Sequence, residues 1–560
     1  MQRNYFCLVC LLFLSIVVRS QQTVGVFLND SLSYNGYTLL FPSSYEETYL
    51  IDNCGFIVNQ WTSTLRPGLS AYLLEDGDLL RTARITSDFN SGGSAGRVER
   101  FSWEGALKWT YTYSNTMVHS HHDVELLPNG NILMIAWESV TDTEAISLGR
   151  NPTTVGTSLW PDHIIEVEPI GTDTGNIVWE WHSWDHLIQD FDNTKPNFGV
   201  ISDHPEKINL NYIEGSASGQ DWHHLNGINY NEEFDQIIVS SRHWDEFWVI
   251  DHSTTTAEAA GSIGGNSGKG GDLLYRWGNP STYNRGTPVS QQLFGQHDAQ
   301  WIEEGLPGEG NIIVYNNGIG RPGDDFSQII ELEPPVDASG NYSITSTDPF
   351  GPLVSSWIYQ DPVSPTSFYS TNISGVQRLP NGNTLICEGA SGHLFEVDDD
   401  GKTHWDYVSP VNFGGIISQG DNAAGNTVFR AYRYGSDYPA FDDKDLIPTD
   451  PVEANPIPLD CEIYLPPVSG INNYLAENIR LFPNPASEFI WIQNKQFIPL
   501  EVHLLNSAGI LNNVVRSSNS LIQIDINDLP SGLYFIKINS NDLNLKSKNL
   551  HSKTWKILIP

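Results

Sequence analysis

Three histidine segments carry the chemistry open to this chain: His119-Ser-His121-His122-Asp123-Val124, Trp222-His223-His224-Leu225-Asn226 and Gln296-His297-Asp298-Ala299. A neutral imidazole is a good nucleophile near pH 7, because its unperturbed pKa is about 6.5. It can form a covalent adduct with an electrophile and divide one transfer into two steps. Asn226 lies two residues past His224 and so shares its strand face. Arg242 follows in Ser240-Ser241-Arg242-His243-Trp244, and Asn316 and Asn317 follow His297. A fixed guanidinium fork suits a tetrahedral oxyanion such as sulfate or phosphate. With Asn226 and the other imidazoles it can stabilise negative charge on a group in transfer. Three histidines at one point can instead hold zinc with an open position for water. Arg242 opposes a cation there, and no Asp or Glu stands out to complete such a set. A lone histidine is more often a satisfied polar group in a wet channel. Three of them beside an arginine and an asparagine weigh against that reading.

The elements that must position these residues repeat along the chain. One mark is a tight turn before an apolar strand, as in Glu75-Asp76-Gly77-Asp78, Pro128-Asn129-Gly130-Asn131 and Pro380-Asn381-Gly382-Asn383. Asn-Gly and Asp-Gly supply the positive φ angles such hairpins need. The other is a pair of large rings two residues apart: Trp109/Tyr111, Trp179/Trp181, Tyr275/Trp277, Trp357/Tyr359 and Trp405/Tyr407. Four short strands per repeat make a propeller blade. Five blades are expected from near Ala71, His122, His224, His297 and Ser374. A sixth joins N-terminal strands (37–40, 48–51, 56–60) to the stretch 427–434 and closes the ring. The fold class expected is all-β: a six-bladed β-propeller followed by a small C-terminal β-sandwich. Aligning the blades puts His122, His224, His297 and Ser374 on one position, facing one axis.

Composition narrows the functions. The net charge of −38 argues against nucleic-acid binding, which depends on Lys and Arg neutralising phosphates. Residues 1–20 read as a secretory signal, with Arg3 before an apolar run too short to span a membrane. No transmembrane anchor is expected. Cys54, Cys387 and Cys461 remain after cleavage and allow one disulfide at most; their spacing fits no zinc pattern. No Gly-x-x-x-x-Gly-Lys-Ser/Thr loop occurs for a phosphate-rich donor.

Residues 21–440 are expected to be the propeller, 441–475 an extended Pro- and Asp-rich linker, and 476–560 the sandwich. The last segment resembles the C-terminal sorting domain of the type IX secretion system, on Leu481-Phe-Pro-Asn-Pro-Ala486, Leu529-Pro-Ser-Gly-Leu-Tyr-Phe-Ile536 and Lys553-Thr-Trp-Lys556. That resemblance implies the type IX machinery as a partner and a place outside the outer membrane, secreted or on the cell surface.

The body of the chain resembles the nucleotide-independent aryl-sulfate sulfotransferases. The resemblance rests on Tyr49-Leu-Ile-Asp52 with Gly55, His121-His122-Asp123 with Leu127-Pro-Asn-Gly-Asn131, and His224-Leu-Asn226 with Ser240-Ser-Arg242. It continues in Tyr275-Arg-Trp-Gly-Asn-Pro280, Gln296-His297-Asp298 and Phe429-Arg-Ala-Tyr-Arg-Tyr434. It implies sulfuryl transfer from an aryl sulfate donor to a phenolic acceptor, by a ping-pong route through a sulfohistidine, without cofactor or metal. By the same resemblance His297 is the nucleophile, and His122, His224 and Arg242 complete the catalytic set. Asn226 belongs to the sulfuryl-binding group; His121 is the near alternative to His122, and Ser374 shares the repeat position. Trp222 and Trp244 can wall the site against phenolic rings or serve as blade core. The loops 141–160, 184–203 and 257–271 are expected to select the phenol. Two other readings stay open: a non-catalytic secreted propeller that only binds, and a three-histidine metal-dependent hydrolase or lyase.

Overall fold

The computed structural model describes residues 22–213, 219–457, 461–464, 479–482, 486, 488–495, 499–506, 511–527, 529–540 and 552–559. The expected signal segment 1–20 lies outside the described residues. The protein is nearly all-β, built mainly from antiparallel sheets, and the chain divides into two compact units between Ile463 and Tyr464.

Among the described residues the first unit holds six sheets of four or five strands and three of two strands. Sheet 1 is Pro67–Leu73, Leu79–Arg84, Gly96–Phe101 and Leu107–Thr112. Sheet 2 is Val118–Leu126, Ile132–Glu138, Asp162–Ile170 and Thr174–His182; sheet 3 is Leu225–Asn231, Gln236–Ser241, Glu246–Asp251 and Tyr275–Trp277. Sheet 4 is His297–Trp301, Ile312–Asn316, Gln328–Leu332 and Trp357–Tyr359. Sheet 5 is Gly375–Arg378, Thr384–Glu388, His393–Val397 and Thr403–Val408, extended by Gly25–Asn29. Sheet 6 pairs Val428–Gly435 with Gly36–Pro42, then Glu47–Asp52 and Ile57–Thr62, so both ends of the unit share one sheet. The first strands of consecutive sheets pack side by side, and that of sheet 6 touches those of sheets 5 and 1.

The repeated sequence marks act locally. Gly130 and Gly382 have φ of 85° and 95°, which lets Leu127 and Leu379 donate to the carbonyls of Asn131 and Asn383. The paired rings sit on one strand face, as alternation requires: Trp405 and Tyr407 stack at 5.5 Å, Trp109 and Tyr111 at 6.0 Å.

The Pro- and Asp-rich stretch is the one expected as an extended linker over 441–475. As far as Ile463 it belongs to the first unit. Val452 is buried in a cluster with Val26 and Tyr407, Pro451 bridges to Phe56, and Cys461 is disulfide-bonded to Cys54. Buried Phe441 and Val452, backbone hydrogen bonds to Ile57 and Ile417, and one disulfide hold a segment whose composition alone would leave it loose.

The second unit has a three-stranded sheet (Ile479–Phe482, Phe489–Asn494, Leu521–Asp525) and a four-stranded sheet (Leu511–Ser517, Leu500–Asn506, Gly532–Ser540, Ser552–Ile559). Alternate residues of both, among them Ile490, Ile524, Val502 and Ile536, share one core. Ser552–Ile559 forms an edge strand that its sequence did not announce. It pairs with Gly532–Ser540 along its whole length.

Candidate active site

The first strands of sheets 1 to 4 each carry a bulge: between Pro67 and Ala71, between Ser120 and Val124, between Leu225 and Ile228, and between His297 and Gln300. A bulge breaks the ladder and re-aims side chains. His122, inside its bulge, and His224, just before its own strand begins, have φ of 52° and 53°, a left-handed backbone uncommon outside glycine.

The register of these strands differs from the sequence alignment at one position. Leu127, Ile302 and Leu379 make the same turn hydrogen bond, to Asn131, Asn311 and Asn383, so His122, His297 and Ser374 are equivalent. In sheet 3 the match comes from a different bond. The Ile228 amide donates to Asp123 at 3.1 Å, as the Val376 amide donates to Asp298 at 2.8 Å. Asn226 therefore occupies the shared position, and His224 lies two residues before it. His224 meets His122 as a neighbour, with ring centroids 4.6 Å apart.

His122, His224, His297 and Arg242 line one cavity of about 440 Å³, together with Arg66, Arg84, Pro67, Leu69, Ile373 and Phe413. Among the described residues no carboxylate lines it. In a chain of net charge −38 this is a positive cavity, which concentrates anions. Arg66 has Glu46 at 3.8 Å.

Each imidazole has a different partner behind it. Nδ1 of His224 lies 2.5 Å from Oδ2 of Asp221. Asp221 also accepts from Ser91 and from Nε1 of Trp137. Burial favours its neutral form, but the charge and hydrogen bond of His224 outweigh this and hold the carboxyl well below its usual range. Nδ1 of His122 faces Nδ1 of His121 at 2.8 Å. Nδ1 of His297 lies 2.7 Å from Oδ1 of Asn317, whose amide nitrogen donates to Ser370 O and Ser374 Oγ. That fixes the Asn317 oxygen as acceptor, so His297 carries its proton on Nδ1 and its lone pair on Nε2. The Ile373 amide donates to that Nε2 at 3.3 Å. Burial, then the charge of Arg242, keeps His297 neutral, well below the ordinary imidazole value.

Below the histidines, Arg430, on sheet 6, ties sheets 2, 3 and 4 together. It contacts Asp123 at 2.5 Å, Asp298 at 3.1 Å and the Asn226 carbonyl at 2.8 Å. These carboxylates follow His122 and His297 in sequence, so the ion triad sets the spacing of the two rings. Gly227 and Gly375 leave room for Arg430: a Cβ on either would come within 2.8 Å of it. Gly93 does the same for His122, whose ring lies where a Cβ would stand.

Several residues expected at the site lie elsewhere. His121 is buried behind His122, with Nε2 2.8 Å from Asp162 but off a straight hydrogen-bond line. Ser374 contacts Asn317 and does not line the cavity. Asn226 is buried, donating to the Gln296 carbonyl. Trp222 and Trp244 are fully buried in the core. Leu69, Pro67, Ile373 and Phe413 supply the apolar wall instead, and none of the loops 141–160, 184–203 or 257–271 reaches the cavity. Sequence reading missed Asp221, although its place three residues before His224 was visible. Arg430 was noted in a motif without a role, and Gly93 and Ile373 gave no signal.

Metal-type ligand atoms converge, among the described residues, in two groups: Asp221 with His224 and His243, and Glu138 with His163 and His182. The set His122, His224 and His297 is not one of them. Asp221 is bonded to His224, Ser91 and Trp137, so it reads as an orienter of His224.

The arylsulfotransferase (ASST) family profile matches residues 43–430, the whole span from which these cavity residues come. The chain belongs to the arylsulfotransferase family. It is thus a sulfotransferase, with aryl sulfotransferase activity in the broad sense. The secretion-system C-terminal sorting domain matches residues 480–551 and places this arylsulfotransferase at the cell surface or outside. No described helix is long and apolar enough to cross a membrane. No curated protein matches the chain. Similar solved structures include a protein of unknown function from Bacteroides caccae, at 12% identity and TM-score 0.37, covering 72% of this chain and 99% of that one. Virginiamycin B lyase from Staphylococcus aureus is 11% identical with TM-score 0.33, over 70% of this chain and 85% of that one. At such values the likeness carries no functional inference.

Proposed function

We propose that this arylsulfotransferase moves a sulfuryl group from an aryl sulfate to a phenol by a ping-pong route through sulfohistidine 297, without a nucleotide donor. In this reading the six sheets are the blades of one propeller and the second unit is a sandwich. Residues 1–20 act as its export signal and the type IX machinery as its carrier. The observation that carries the reading is the difference between the groups behind the three imidazoles.

A carboxylate behind an imidazole orients it and suits it to acid–base work. His224, backed by Asp221, is that group. A neutral amide behind an imidazole fixes its tautomer without adding negative charge. His297, backed by Asn317, is thereby a neutral nucleophile whose N–S bond stays easy to break.

In the first half-reaction Nε2 of His297 attacks sulfur, the S–O(aryl) bond breaks and the leaving oxygen takes a proton from Nε2 of His224. In the second, the acceptor phenol returns a proton to His224 while its oxygen attacks sulfur and the N–S bond breaks. Arg242, which makes no side-chain hydrogen bond or ion pair among the described residues, has donors free for the sulfuryl oxygens. Once Nε2 carries the sulfuryl, the Ile373 amide is within reach of the same oxygens. Leu69, Pro67 and Phe413 flank the aryl ring.

The test is a chromogenic aryl sulfate with and without added phenol. Phenol-dependent release supports transfer; release indifferent to phenol means hydrolysis, and none means a binding module. His297→Asn is expected to abolish both turnover and the acid-labile sulfo-adduct; persistence of either overturns the assignment.

A further inference from the structure

One face of sheet 2 carries a second cluster that sulfuryl transfer does not use. Glu138 ends the strand Ile132–Glu138, His163 stands at the start of Asp162–Ile170, and Glu180 and His182 stand at the end of Thr174–His182. Ala136 pairs with His163 and His163 with His182. By strand alternation Glu138, His163, Glu180 and His182 then share one face.

Their side chains converge tightly. The rings of His163 and His182 stack 5.0 Å apart and within 3° of parallel. Both oxygens of Glu138 lie 3.1 Å from Nδ1 of His182, and Glu180 lies 3.3 Å from its Nε2. The Tyr113 hydroxyl is 3.0 Å from Nε2 of His163. One ligand-type atom from each of Glu138, His163 and His182 lies within 4.8 Å of the other two. His163 is completely buried, and its Nδ1 has no hydrogen-bond partner. Buried polar atoms are almost always paired, so such an atom calls for an explanation.

We propose that Glu138, His163 and His182 form a binding site for a divalent transition metal of the zinc class. Two imidazoles and a carboxylate are a zinc donor set. The 3.1 Å between Glu138 and His182 is close to the edge of a tetrahedron with metal bonds of about 2.0 Å. Glu180 on the far nitrogen of His182 and Tyr113 on Nε2 of His163 are the outer partners that orient metal-bound imidazoles. Glu138 and His182 are 21% and 29% exposed, which leaves an entry path and a fourth position for water. The bound ion would clamp three strands at the points where the chain leaves for its long excursions 139–161 and 183–207. The proposal stands apart from the sulfuryl reading.

The test is calorimetric titration of zinc chloride into the chelator-stripped full chain. The expected result is one ion per chain, with affinity falling at least about a hundredfold in His182→Asn and in Glu138→Gln and unchanged in His243→Asn, which probes the other group. Thermal unfolding gives the second readout: zinc should raise the midpoint of the wild type and not of the two variants. His182 and Glu138 lie partly at the surface, so their replacement leaves the buried core intact; circular dichroism checks this. No zinc binding by the wild type overturns the proposal. So does undiminished binding in both variants, or a loss confined to His243→Asn.

Discussion

Nδ1 of His297 lies 2.7 Å from the amide oxygen of Asn317, and that amide is itself pinned by Ser370 and Ser374. A neutral group stands behind the proposed nucleophile where a carboxylate stands behind His224. Asn317→Asp should therefore make His297 more basic and strengthen its bond to sulfur. We expect turnover to fall about tenfold to a hundredfold while the sulfo-adduct grows longer-lived in quenched-flow trapping. A variant with full turnover and no longer-lived adduct would remove the role given to Asn317.

Asp221→Asn takes the charge from behind His224 and leaves the ring's place nearly unchanged. Loss of general acid–base assistance is worth about 10²–10⁴-fold. The loss should be largest for aryl sulfates with weakly acidic phenols and small for those whose phenolate leaves unaided. Measuring rate against leaving-group pKa checks this; an equal loss across the series would point to misfolding or lost binding instead.

Arg430 neutralises two buried carboxylates, Asp123 and Asp298. Arg430→Met would strand both, and breaking such a buried pair costs about 3–5 kcal/mol. Chemical denaturation should show that loss. A cost below about 1 kcal/mol would mean that the triad is solvated in practice.

Gly93 has φ of 80°, and a Cβ there would lie 1.9 Å from the His122 ring. Gly93→Ala must push the imidazole out of the cavity. A displacement of about 1 Å can cost a hundredfold in rate, and the same change should destabilise the fold. Wild-type activity in this variant would show that His122 is dispensable.

Acid should unfold the first unit well above the usual carboxylate range. Burial lowers His121 and His243 to about 3 and pushes His122, His163 and His297 well below their ordinary value. These rings stay neutral in the fold but gain protons near pH 6.5 once unfolded, so stability is lost as pH falls from 6.5 towards their folded values. Burial raises Asp162 and Asp298 to about 6 and Asp245 to about 7. These work in the opposite sense, since the fold then holds protons that the unfolded chain lacks. These imidazoles, joined by His119 at about 4, outnumber those carboxylates, so stability is lost as pH falls from about 6 to 4. Melting temperatures across that range check it; a flat profile would mean that the rings are solvated.

The sequence by itself determined the repeat, the kind of chemistry and the family. Asn-Gly turns and ring pairs are local devices, and they fold as local rules say: Gly130 and Gly382 take positive φ, and Trp405 stacks on Tyr407. The histidine segments and Arg242 were legible because unusual residue types recur at repeat spacing. The tertiary structure decided what stands behind each imidazole. Asp221 and His121 precede their histidines by three residues and one, and Asn317 reaches His297 from the end of the neighbouring strand; a bulge moves register by a residue without leaving a mark in composition. It also put Asn226, not His224, at the shared position, sent Trp222 into the core, and set Ile373 and Gly93 against the reacting rings. Those placements are contacts between strands distant in the chain, which no local spacing encodes.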